Sequence, residues 1–185
     1  MTHPVVPCIL LAEDDENDVF VFKRALNKAG VDTPFVHVSD GQKAVAYLAG
    51  NPPFTDRAMF ALPGLVISDL KMPGMDGLEL LAWAKSQPEL CRIPWVILSS
   101  SSDRADIHSA HLLGANDYRV KPGVFDEWSP SSATYTFSGY LNQVFLRPFW
   151  NRGRCGRKPR IHNHYKIVAR SLSSNRSAPS LRESG

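Results

Sequence analysis

The groups in this 185-residue chain best suited to chemistry are few and far apart. Four consecutive acids, Glu13, Asp14, Asp15 and Glu16, follow the apolar run "CILLA". A single aspartate, Asp69, ends "LVISD" and opens onto a turn-rich stretch with Lys71, Pro73, Gly74 and Gly77. Hydroxyls follow "PWVIL" as Ser99 to Ser102, and Lys121 and Pro122 follow "DYRV". Brought together, such carboxylates repel one another and resist ionising as a group. A divalent cation relieves that repulsion, and an all-oxygen donor set favours Mg²⁺. Beside such a cation Asp69 can stay ionised and act as a nucleophile toward phosphorus. The equatorial oxygens of a transferred phosphoryl group carry charge that the cation, the Lys121 ammonium and the Ser99 hydroxyl could offset.

Each group alone has a plainer reading. Acids at a strand end are usually a solvated loop or a helix cap, a serine run is usually a turn, and a lysine before proline is usually a surface charge. His37, His108 and His111 read as surface or packing residues, and the four tryptophans as packing residues. What favours chemistry is a fold that would bring all these positions to one edge.

The elements predict such a fold. "CILLA" is too short for a helix and suits a strand buried on both faces. "VFVFKRALNKAG" spaces Val19, Phe22, Ala25 and Leu26 as a helix does and stops at Gly30. "PFVHV" reads as a strand, and Ser39 or Asp40 can cap the helix "GQKAVAYLAG". A long loop, "NPPFTDRAMFALPG", leads to the strand "LVIS". Asp76 can cap "GLELLAWAKS", "PWVIL" is a strand, Asp103 can cap "RADIHSAHLLGA", and "DYRV" is the fifth strand. Five strands alternating with helices predict an α/β fold, a doubly wound parallel sheet covered on both faces. Ligands of such sheets sit beyond the carboxyl ends of the strands, where the candidate residues fall.

Composition sets the remaining bounds. Apolar residues make up 43% of the chain, enough for a core. No stretch approaches the ~20 apolar residues of a membrane span, and the N-terminus lacks the pattern of a secretory signal. Cys8, Cys91 and Cys155 match neither a disulfide framework nor a zinc site, so a cytoplasmic setting is expected. The net charge of +3 averages two unlike parts. Residues 1–150 carry 12 basic and 17 acidic residues, and residues 151–185 carry 9 basic residues and one acid, Glu183.

The stretches "ILLAEDD", "VISDLKMPGMDG", "ILSSS", "LGANDY" and "VKP" resemble, in order and separation, the receiver domain of two-component response regulators. The long loop before "LVIS", with "SDLKMPGMDGLEL" and "LGANDYRVKP", is most similar to stand-alone regulators associated with phytochromes. The resemblance implies a flavodoxin-like sheet of order 2-1-3-4-5, a receiver domain over residues 5–128, and phosphorylation at Asp69 by a sensor histidine kinase or phosphotransfer protein. It also implies Mg²⁺ held by Glu13, Asp14, Asp69 and the Lys71 carbonyl, with Asp15 beside that set. Lys121 would contact the phosphoryl group, with a cis bond to Pro122. Ser99 and Tyr118 would be the switch pair, Ser99 turning toward the phosphoryl oxygen and Tyr118 moving inward. Such a protein is no enzyme beyond its own phosphorylation and dephosphorylation, and it can form a homodimer.

The C-terminal part departs from the pattern. Pro130 and the Ser/Thr run after "VFDEW" oppose the expected fifth helix. A segment within 129–150, with Leu141, Val144 and Phe145 on one face, is expected to replace that atypical helix. Residues 151–185 read as a basic, disordered tail. Three other readings compete. The tail could bind nucleic acid non-specifically, although it shows no recognition element. Asp69 could serve a phosphohydrolase, but the second acid such enzymes carry two residues on is replaced by Lys71. The receiver could be degenerate, with a non-functional C-terminus.

Overall fold

A computed structural model of the chain describes residues 8–28 and 30–121. Its elements alternate as expected: β1 (Ile9–Ala12), α1 (Glu16–Lys28), β2 (Phe35–Val38), α2 (Gly41–Ala49), β3 (Leu65–Ser68), α3 (Gly77–Ser86), β4 (Trp95–Ser99), α4 (Arg104–Leu113) and β5 (Asp117–Val120). The five strands form one sheet in the order β2-β1-β3-β4-β5. Every pairing is parallel. All four residues of β1 and of β3 are buried, as the unbroken apolar runs require of strands covered on both faces.

Alternation along each strand divides the core in two. Leu10, Ala12 and Val66 face one way, into a cluster with Tyr47 and Leu48 of α2, Leu80, Leu81 and Ala84 of α3, and Ala110 of α4. Ile9, Leu11, Leu65 and Ile67 face the other way and pack with Val19, Phe22 and Leu26 of α1. The three α1 residues recur every three or four positions, which is why the helix presents one apolar stripe to the sheet.

Helix caps follow the sequence where a side chain can reach the backbone. The Asp40 carboxylate accepts from the Lys43 N–H at 2.7 Å. Asp76 accepts from the Glu79 N–H, and Glu79 accepts in return from the Asp76 N–H, a complete capping box. Asp103 accepts from the Ala105 N–H. Helix α1 starts three residues before the expected Val19, at Glu16. The reason is Asp15, whose side chain accepts from the Asn17 N–H and whose carbonyl accepts from the Val19 N–H.

The long loop between α2 and β3 is held from within. Tyr47, Phe54 and Phe60 pack edge to face, with ring centroids 5.2–6.2 Å apart. The Arg57 guanidinium donates to the carbonyls of Tyr47, Leu48 and Phe60. It thereby satisfies the Leu48 carbonyl, which the end of α2 leaves without a helical partner. Among the described residues no helix is long and apolar enough to cross a membrane. Cys8 is a free thiol, and Cys155 lies outside the described residues. The substitute helix within 129–150, the tail and the Lys121–Pro122 bond also lie outside the described residues.

Candidate functional site

The parallel ladder runs one hydrogen bond past three strand ends and fixes the residues that follow. The Glu13 N–H donates to the Val38 carbonyl at 3.0 Å, the Asp69 N–H to Ala12 at 2.8 Å, and the Lys121 N–H to Ser99 at 2.7 Å. These three residues are thus placed by sheet geometry, although each is written in the sequence as the start of a loop. Glu13 and Asp69 are buried, at 2% and 5% exposure. Asp14 is exposed beside them.

Glu13, Asp14 and Asp69 each bring a carboxylate oxygen within 4.8 Å of the others. Three hard oxygen donors so close together, one of them open to solvent, fit a small divalent cation. Asp15 is outside this group. Its carboxylate is engaged by Asn17, and the hydrogen bond from the Asn17 N–H lowers its pKa. Burial raises the pKa of Glu13 to about 7, against the opposing pull of Lys121.

Lys121 lies at the centre. Its Nζ is 2.8 Å from Glu13 Oε2, 2.8 Å from Asp18 Oδ2 and 3.0 Å from Asp69 Oδ1. Burial alone would lower its pKa, but hydrogen bonds to Asp18 and Glu13 and the nearby negative charges outweigh burial and raise it. The ammonium is therefore a fixed positive charge beside Asp69. The second Asp69 oxygen, Oδ2, accepts from the backbone N–H of Lys71 at 2.8 Å. Lys71 thus meets the group through its amide, while its side chain points to solvent.

Ser99 and Tyr118 meet at a third residue. Ser99 is fully buried, and its Oγ accepts from the Ser101 N–H at 3.1 Å. The Tyr118 hydroxyl donates to the Ser101 carbonyl at 2.9 Å, and the ring is buried. The Tyr118 ring thus lies inward, against the turn that follows β4.

Sequence reasoning brought Glu13, Asp14, Asp69, Lys71, Ser99 and Lys121 to this edge, and the structure gathers them there. It missed three groups. Asp18 binds Lys121; the available signal was its place four residues after Asp14, one turn into α1. His37, given no role, donates from Nε2 to the Glu13 carbonyl at 2.8 Å. Trp95 Nε1 donates to Ser68 Oγ at 3.0 Å, tying β4 to β3 in the residue next to Asp69.

Comparison with known proteins agrees with this geometry. The response regulator receiver domain family matches residues 9–128. Response regulator Rcp1 of Synechocystis sp. is 33% identical over 113 residues, 61% of this chain and 75% of Rcp1. The phosphorylated cyanobacterial phytochrome response regulator RcpA superposes with a TM-score of 0.65 at 31% identity, over 77% of this chain and 95% of RcpA. The Mn²⁺-bound form of response regulator Rcp1 does so with a TM-score of 0.64 at 27% identity, over 76% and 95% of the two chains. With the β2-β1-β3-β4-β5 sheet and its buried aspartate, these likenesses make the chain a member of the response regulator receiver domain family, similar to the phytochrome-associated regulators.

Proposed function

We propose that this protein is a single-domain response regulator whose Asp69 takes a phosphoryl group from a sensor histidine kinase or a phosphotransfer protein. The observation that carries the reading is the placement of Asp69: buried at the end of β3, within reach of Glu13 and Asp14, and 3.0 Å from the Lys121 ammonium. A carboxylate held this way has a fixed cation at its side, as a nucleophile toward phosphorus needs.

In the step proposed, an Asp69 oxygen forms a bond to phosphorus as the phosphorus–nitrogen bond of the donor phosphohistidine breaks. The imidazole leaves with the electron pair and takes up a proton from solvent. Lys121 follows the negative charge from the carboxylate to the phosphoryl oxygens, and the Ser99 hydroxyl, at the end of β4 beside β3, would supply a further hydrogen bond after rotation. Glu13, Asp14 and Asp69, with the Lys71 carbonyl, would hold Mg²⁺; when bound, Mg²⁺ offsets charge on the phosphoryl oxygens. Because Ser99 and Tyr118 both bond to Ser101, a rotation of Ser99 would be felt at Tyr118, and this linkage is the proposed route to the α4–β5 surface. Water attack on the acyl phosphate returns the free carboxylate. The protein thus changes only its own state, in a cytoplasmic setting. The proposed receiver spans residues 5–128, followed by the segment 129–150 and the basic tail 151–185.

The test is phosphotransfer from a panel of autophosphorylated histidine kinases with Mg²⁺ present, followed by mass mapping of the modified residue. Label on Asp69, and its loss in Asp69→Asn, is the expected result. Transfer at an undiminished rate to Asp69→Asn would overturn the assignment.

A further inference from the structure

We infer that Asp18 is a positioning residue that draws Lys121 away from the cation-binding carboxylates, so that the lysine and a divalent cation can occupy the site together. The inference deepens the function proposed above and rests on it for its meaning, though its test requires no phosphoryl transfer.

The Lys121 ammonium has three N–H donors and three carboxylate acceptors, Glu13 Oε2, Asp18 Oδ2 and Asp69 Oδ1. Two of these carboxylates belong to the group whose oxygens lie within 4.8 Å of one another, and Asp18 does not. A divalent cation bound to Glu13, Asp14 and Asp69 draws on carboxylates that Lys121 also uses, and it repels the ammonium. Without a third partner, the lysine and the cation would compete outright. Asp18 supplies that partner from outside the cluster, on the first turn of α1. Its side chain is 37% exposed, against 3% for Glu13 and 7% for Asp69, so it sits at the solvent side of the lysine.

A plain field effect gives part of the same outcome, because any lost negative charge near the cation weakens its binding. A double-mutant cycle separates the two. Mn²⁺ is titrated calorimetrically into the unphosphorylated full-length protein and into Asp18→Asn, each with Lys121 intact and with Lys121→Met. If Asp18 acts through the lysine, Asp18→Asn weakens Mn²⁺ binding by about 5-fold or more with Lys121 present. In the Lys121→Met background the same change shifts affinity by less than about 2-fold. Asp18→Glu should restore most of the affinity. Asp18→Ala provides a second deletion of the carboxylate, and unfolding midpoints establish that each variant is folded. Equal weakening in both backgrounds leaves only the field effect and overturns the inference, as does no weakening in either. If phosphotransfer to Asp69 fails while the cycle shows coupling, it is the proposed function that falls and not the role of Asp18.

Discussion

Gly77 offers the sharpest test of how the backbone holds Asp69. It is the first residue of α3, and its N–H donates to the Leu70 carbonyl at 2.9 Å, closing the turn that leaves Asp69. A Cβ at this position would collide with the Asp69 carbonyl oxygen and lie 3.0 Å from the Asp69 carbonyl carbon and 3.1 Å from the Leu70 Cα. All three are backbone atoms, so no side chain can rotate out of the way. Restoring ordinary contact with that oxygen requires a movement of more than about 1 Å, borne by the peptide that carries the nucleophile. Overpacking of this kind costs about 1–3 kcal/mol, so Gly77→Ala should unfold at lower urea. Its phosphotransfer rate should fall by about 100-fold, as expected when a reacting group is displaced by about 1 Å. Gly74→Ala is the control. Gly74 has φ of +79°, but an added Cβ meets only Gln42 Nε2, at 4.0 Å. The strain of that φ for alanine costs about 1–2 kcal/mol, with no push on Asp69. Both variants should therefore lose stability, and Gly77→Ala alone should lose transfer by so large a factor. Matching transfer rates in the two variants would refute the idea that Gly77 sets the position of the nucleophile.

Three further outcomes follow from other parts of the structure. Ser68→Ala leaves the buried Trp95 Nε1–H without its partner at 3.0 Å; it should cost about 1–3 kcal/mol in urea unfolding, and an unchanged midpoint would show that the bond contributes nothing. Asp14→Ala should weaken Mg²⁺ binding more than Asp15→Ala, because the Asp15 carboxylate is spent on Asn17; equal losses in a calorimetric titration would place both acids in the cation site. Lys85 is half-buried, donates to the carbonyls of Cys91 and Ile93, and has its pKa lowered by burial from 10.5 to about 8. Between those values the unfolded chain binds more protons than the folded one, so this group makes the protein more stable as pH rises. Comparing unfolding free energies of the wild type and Lys85→Met at about pH 7 and about pH 9.5 should show the difference moving toward the wild type at the higher pH; a constant difference would mean that the amine titrates normally.

How much was legible in the sequence depends on how local the cause was. β1, β3 and β4 were legible because strands buried on both faces read as unbroken apolar runs, and Glu13 and Asp69 stood out as the first ionisable groups after such runs, whereas Lys121 follows "DYRV", a strand with two charges of its own. The caps Asp40, Asp76 and Asp103 were legible because each acts within three residues of itself. Asp18 was not, since its partner lies 103 residues away and a first-turn acid is ordinary for any helix. The Arg57 clamp was hidden for a similar reason: nothing in "NPPFTDRAMFALPG" says that the arginine folds back on α2. The strand over Trp95–Ser99 was expected one residue earlier, because Pro94 and Leu98 share its apolar character and only the register with β5 draws Ser99 into the ladder. The inward place of Tyr118 depends on a carbonyl 17 residues away, which no pattern of residue types reveals.

The ladder that runs one bond past β1, β3 and β5 sets a rule for which changes of length the chain tolerates. Because successive residues of a strand point to opposite faces, adding or deleting one residue within Ile9–Ala12, Leu65–Ser68 or Asp117–Val120 would turn Glu13, Asp69 or Lys121 to the other side of the sheet. It would also bring apolar side chains into the wrong core. The turns at the opposite edge, such as residues 87–94 between α3 and β4 or 114–116 between α4 and β5, carry none of these groups. Away from Pro94 and Asn116, which bond to β3 and β4, they can lengthen or shorten without touching the register. Drift in loop length should therefore be one-sided: wide at the edge where strands begin, and almost nil where they end.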